Sequence, residues 1–225
     1  KKFYQADKDM HEKGLGSEQG FVIDMNGKMP TLPMLPPEAK GMKFPRITTI
    51  NEVTNRAEVG KAWTLMSESI NGLSAAFGGG APSPDKPPVF ALPDPINSEK
   101  NGVTTYFYGM PFFAGDLLPS ASINDKLLIL SSSKDAAESY AGELSKPATE
   151  KINGLYWKFD VSVLSDLVGS AAKLAPAESP EKAKEIKDNL KWLKPFKAMQ
   201  GHTYQDQGKW RTTLDWEILD VVSFD

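Results

Sequence analysis

The apolar positions of this chain change period several times, and each change marks an element. Val59, Ala62, Trp63, Met66, Ile70 and Leu73 recur at three and four residues and form the buried stripe of a helix. Asn55 stands in position to cap that helix, with Glu58 three residues on. Ile47–Asn51 before it reads as a strand, and the β-branched and aromatic run Val103–Tyr108 reads as another. Leu127, Leu128, Ile129 and Leu130 are apolar without alternation, which predicts a central strand covered on both faces. The segment Ala121–Leu130 turns at Asn124-Asp125, so it is expected to be a hairpin. Ser132 with Asp135 then opens a helix through Ala136, Ala137, Tyr140, Ala141 and Leu144.

The second half repeats these signals. Leu155, Trp157 and Phe159 alternate with Tyr156 and Lys158, as in a half-buried strand. Asp160 or Ser162 starts a helix carrying Leu164, Leu167, Val168, Ala171 and Leu174. Ser179-Pro180-Glu181 starts the next, with Ala183, Ile186, Leu190 and Leu193 on one side and Pro195 as its stop. In the final strand Thr212, Leu214, Trp216 and Ile218 share one face, and Arg211, Thr213, Asp215 and Glu217 share the other. That pattern fits an antiparallel sheet wet on one side.

Breakers divide the chain. Residues 1–14 read as the end of a polar helix stopped at Gly14, and Gly20–Lys28 as a strand running into an Asn26-Gly27 turn. Pro30–Pro37 is an extended crossing, and the glycines and prolines of Gly78–Pro88 predict a mobile surface loop. The reading is therefore an N-terminal piece, residues 1–44, and a body, residues 45–225, forming one compact unit. Within the body two strand–helix–hairpin halves, about 45–150 and 151–225, suggest an internal duplication. The fold class is α+β, with a mainly antiparallel sheet and helices packed on one face. Its expected core includes Trp63, Leu127, Ile129, Trp157, Phe159, Leu214 and Trp216.

Composition narrows the function classes. A net charge of -3 and a pI near 5.6 argue against wholesale nucleic-acid binding, which needs a basic face. With 0 cysteines there are no disulfides, thiolate sites or cysteine nucleophiles, and with 2 histidines a multi-histidine metal site is not expected. No cofactor is expected. No run approaches the ~20 apolar residues of a membrane span. The chain begins Lys1-Lys2, which reads as a processed product or a trimmed piece.

Three phrases carry a resemblance: Pro45–Arg56 (PRITTINEVTNR), Leu118–Lys134 (LPSASINDKLLILSSSK) and Gly208–Glu217 (GKWRTTLDWE). Together they resemble uncharacterised exported bacterial domains of unknown function, over roughly residues 45–220. The resemblance brings no catalytic residues. It implies a periplasmic, cell-surface or secreted setting and is compatible with a non-catalytic role.

Candidate chemistry is sparse. Ser131 and Lys134 form Ser-x-x-Lys, a spacing that lets a lysine amine activate a serine in penicillin-binding acyl-enzymes. The companions Ser-Asp-Asn and Lys-Thr-Gly are absent, and helix capping explains the serines equally well. Gly14–Gly20 has the glycines of a phosphate loop, but the strand follows instead of preceding it, so it reads as a turn. Asp206, Asp215, Glu217 and Asp220 cluster near the last hairpin and could serve glycoside hydrolysis if held ~5–10 Å apart. Of the tryptophans Trp63, Trp157, Trp192, Trp210 and Trp216, Trp210 beside Gly208 is the best candidate for an exposed binding aromatic. His202 is a base without an evident partner. Lys184, Lys187, Lys191 and Lys194 stack along one helical ridge, suited to an anionic polymer or lipid surface, or to plain solvation. The reading is a non-enzymatic, extracytoplasmic structural or binding module of a bacterial envelope or secreted protein, contacting a protein or an anionic polymer. The alternative is a hydrolase using the Ser-x-x-Lys pair or a carboxylate pair.

Overall fold

The computed structural model describes residues 1–28, 42–77, 94–109, 117–146, 153–164, 168–169, 180–192 and 195–219. The chain divides into two units, Lys1–Ile23 with Arg46–Lys146, and Asp24–Pro45 with Pro147–Asp225. The N-terminal piece expected from the sequence is thus shared between them. Gly78–Pro88 and Pro30–Pro37 lie outside the described residues.

The first unit begins with helix α1 (Lys2–Asp9) and a π-helical turn, Met10–Gly14. Strands β1 (Leu15–Lys28) and β2 (Lys43–Val53) follow, with Asp24–Lys28 and Lys43–Pro45 counted in the second unit, then helix α2 (Arg56–Phe77). Next come β3 (Ile96–Lys100), β4 (Val103–Phe107), β5 (Ser120–Ile123) and β6 (Leu127–Ser131), and helix α3 (Lys134–Leu144). The strands form a six-stranded sheet in the order β1-β2-β6-β5-β4-β3. β2/β6, β6/β5, β5/β4 and β4/β3 pair antiparallel. The fold is α+β with a mainly antiparallel sheet.

Adjacent Leu128 and Ile129 are 2% and 0% exposed, so β6 is covered on both faces. Leu128 joins Ile123, Val53, Leu15 and Met10 beneath Val59 and Ala62 of α2. Ile129 joins Val103 beneath Ala137 and Ala141 of α3. Helices therefore lie on both faces of this sheet, where the sequence reading put them on one. The unbroken apolar run of β6 requires this, because neither of its faces tolerates water.

Local chemistry sets the corners. The Gly14 carbonyl accepts from the Thr54 amide at 2.9 Å, the Asn55 amide at 3.1 Å and the Thr54 hydroxyl at 3.2 Å. A Cβ at Gly14 would stand 2.8 Å from Val59 Cγ2, so the turn can approach α2 only as glycine. Asn55 caps α2 as expected, its side chain accepting from the Ala57 and Glu58 amides. The cap of α3 is Ser133, whose Oγ accepts from the Ala136 amide at 3.2 Å, rather than Ser132. Ser132 instead accepts from the Ile47 amide at 3.0 Å, tying β2 to the end of β6. On the α3 side of the sheet, buried hydroxyls pair: Thr48 with Ser131 at 2.9 Å and Thr105 with Ser122 at 2.8 Å. Small Ala136, Ala137 and Ala141 bury α3 over this layer.

Two turn readings change. Asn26-Gly27 lies within β1, where sheet pairing overrides the local turn preference, and Leu15–Gly20 is strand as well. The β3–β4 turn uses Asn101-Gly102 at φ 54° and 76°, an Asn-Gly signal the sequence reading passed over.

The second unit contains β7 (Leu155–Asp160), helical residues 161–164, helix α4 (Pro180–Lys191), β8 (Phe196–Asp206) and β9 (Lys209–Ile218). Three strands pair antiparallel in the order β7-β8-β9. The halves share an order of elements but not a connectivity. In the first, β2 pairs with the second strand of its later hairpin, β6; in the second, β7 pairs with the first, β8.

The expected core holds for Ile129, while Trp63, Leu127 and Trp157 are half-buried. Phe159, Leu214 and Trp216 are 41%, 57% and 54% exposed, which corrects their assignment to the core. Leu214 and Trp216 lie on β9, which stays exposed along its whole length, and Phe159 lies on β7, where only Trp157 is half-buried.

Candidate functional site

The pairing registers of the first unit build a groove. Thr49, Leu130, Ala121 and Tyr106 stand opposite one another on consecutive strands and make one row across the sheet. Antiparallel partners share a face, so this row lies on the α2 side with Leu128 and Ile123. Ile47, Tyr108 and Pro119 extend the floor beyond that row, and Trp63 of α2 supplies a half-buried wall. Ser120, Ser131 and Ser132 complete the lining of a space of about 480 Å³.

No carboxylate, amine, guanidinium or imidazole is among the described residues of this lining. Its polar groups are hydroxyls, the Trp63 indole N–H and backbone. The buried Ser120 Oγ has no hydrogen-bond partner among the described residues. Such a surface holds apolar and aromatic side chains by removing them from water, worth about 25 cal/mol per Å² buried. Among the described lining residues the ionisable groups are the phenols of Tyr106 and Tyr108.

Ser131 borders the groove, but its hydroxyl is bound to Thr48 and accepts from the Ser133 amide at 3.1 Å. The Lys134 amine lies 2.5 Å from Glu138 Oε1 and 5.2 Å from the centre of the Phe107 ring. The two members of the Ser-x-x-Lys pair thus have separate partners.

Two carboxylates of the last hairpin also have separate partners. Asp206 pairs with Arg211 at 2.8 Å, and Glu217 pairs with Lys197 at 2.5 Å. The Glu217 carboxylate, hydrogen-bonded to the Lys197 amine, holds that amine above the usual lysine range. Asp215 shares the exposed polar face of β9 with Glu217, and Asp220 lies outside the described residues. His202 Nε2 donates to the Asn153 carbonyl at 2.7 Å, and its ring stacks on Tyr204 at 4.8 Å.

Trp210 is 72% exposed. Lys184 and Lys191 are exposed on α4, Lys191 pairing with Asp188 at 3.0 Å. The Lys187 side chain and all of Lys194 fall outside the described set. Among the described residues no three His, Asp or Glu gather to hold a metal ion. No described helix is long and apolar enough to cross a membrane.

The sequence reading missed the groove. Tyr106, Tyr108 and Leu130 were visible as strand residues, but only the strand order and register bring them together.

Comparison with protein-family models, with curated proteins and with solved structures found no match to this chain.

Proposed function

We propose that this protein is a non-enzymatic binding module of a bacterial envelope or secreted protein, acting by contact with another protein. The observation that supports it is the groove on the α2 side of the sheet. Its floor is built of Leu130, Ala121, Tyr106 and Ile47, with no ionisable side chain except the tyrosines among its described lining. A surface of that chemistry seats apolar side chains of a partner. It does not suit an anionic polymer, which needs cations. The extracytoplasmic setting rests on the sequence resemblance set out above.

The test is selection of peptides from a displayed random library against the full chain. The expected winners carry aliphatic and aromatic residues. They should lose binding to Ala121→Trp, which fills the floor, and keep it with Lys184→Ala. Winners that are acidic and depend on Lys184 would favour the anionic-polymer alternative. No enrichment at all would remove the groove as a binding site.

A further inference from the structure

We infer that two copies of this chain associate through β9, which pairs antiparallel with itself about a twofold axis at Thr213. β9 is the edge of the sheet β7-β8-β9, and each of its ten residues is exposed. An edge strand presents a row of unpaired backbone donors and acceptors. Proteins blunt such edges with proline, a bulge or charged side chains, and the charges of β9 are of both signs rather than one. The sequence Lys209–Ile218 contains neither Pro nor Gly, and the register shift in the β8/β9 pair lies on β8, at Phe196/Ala198, at the end away from the turn.

The charges of β9 specify the register. Along its polar face run Lys209, Arg211, Thr213, Asp215 and Glu217: two cations, a neutral centre and two anions. Antiparallel self-pairing centred on Thr213 sets Lys209 opposite Glu217 and Arg211 opposite Asp215, each twice by symmetry. On the other face it sets Trp210 opposite Trp216 and Thr212 opposite Leu214. A slip of one residue would turn each apolar side chain to the polar side. Moving the centre to Thr212 or Leu214 keeps one type of charge pair instead of two. The Thr213 register alone matches all four charges.

The in-chain pairs of Glu217 with Lys197 and Arg211 with Asp206 are exposed and join β9 to β8 or its turn. They leave the outer side of β9 open to a second partner. The product is a continuous six-stranded sheet, and the exposed Trp210, Leu214 and Trp216 of each copy come side by side.

Sedimentation velocity of the full chain over a range of concentrations tests this. The expected result is a monomer–dimer equilibrium. Arg211→Glu and Asp215→Arg should each weaken it by about tenfold or more, since each replaces two attractive cross-strand pairs by repulsive ones. Mixing these two variants should restore dimer, because each then faces its complement. Circular dichroism confirms that both variants fold. The chain has 0 cysteines, so Thr213→Cys gives a unique thiol that should form an intermolecular disulfide on mild oxidation. The inference is overturned by a monomer at every concentration, by a dimer indifferent to both reversals, or by mixtures that stay monomeric.

Discussion

The indole of Trp157 on β7 occupies the space that a side chain on Gly201 of β8 would need. A Cβ built on Gly201 would stand 2.6 Å from Cε2 and 2.7 Å from Nε1 of that ring. The two residues face each other across the strand pair, so the bare glycine lets the aromatic ring fold over the backbone. Gly201→Ala should therefore push the ring away and cost about 1–3 kcal/mol of stability. Denaturant unfolding reads the loss, and a shift in tryptophan emission reports the displaced ring.

Ser133 and Ser132 make separable predictions. Ser133→Ala removes the cap of α3 and leaves the Ala136 amide without its acceptor, at about 1–2 kcal/mol. Ser132→Ala frees only the exposed contact to the Ile47 amide, and should cost less. An equal or reversed order in denaturant midpoints would put the cap back at Ser132.

The Thr105–Ser122 hydroxyl pair is fully buried beneath α3. Thr105→Val leaves Ser122 without its partner, at about 1–3 kcal/mol. Adding Ser122→Ala removes the orphan, so the double variant should lose less than the sum of the two single losses. An additive cycle would mean the hydroxyls do not depend on one another.

Asp160 gives a pH signature. Hydrogen bonds from the Ser162 hydroxyl at 2.7 Å and amide at 2.9 Å hold its carboxyl below the ordinary value of 3.8. A carboxyl lowered by folding stabilises the folded state above its unfolded pKa, and that contribution disappears as pH falls through the folded value. The loss should therefore fall in the acid range below the ordinary aspartate value. Ser162→Ala should move the Asp160 titration upward, which carboxyl-detected NMR follows directly.

Ser131 should resist a fluorophosphonate probe. Its hydroxyl is engaged by Thr48, and the Lys134 amine is engaged by Glu138. Stoichiometric labelling at Ser131 that disappears in Lys134→Ala would instead establish the serine hydrolase.

Much of the first unit was legible in its sequence, for identifiable reasons. Leu127–Leu130 announces a strand covered on two sides, since no polar position remains to face water. Asn55 announces its helix because few residues offer a side-chain acceptor at that point. Other readings failed where local chemistry is degenerate. Ser131, Ser132 and Ser133 can each cap a helix, and the choice among them is made by where β6 ends. Asn26-Gly27 prefers a turn, but the pairing of β1 holds it extended. For β9 the alternation showed which residues share a face. It carried no information on whether another layer covers that face, so Trp216 was misplaced in the core. The groove was illegible for a related reason: Thr49, Leu130, Ala121 and Tyr106 become neighbours only once strand order is known.

The position of β2 beside β6 also bears on how the first unit assembles in time. The Thr48–Ser131 contact spans 83 residues of chain, whereas Thr105–Ser122 within the β4–β5 pair spans 17. Closing the longer loop costs more chain entropy before any contact repays it. This predicts that the β3–β6 meander with α3 forms first and that β2 docks late with the N-terminal segment, an order that mutational folding kinetics would read. Until it docks, the apolar edge of β6 is open to other strands. A β2 that docks slowly would leave that edge open longer to edge-to-edge association.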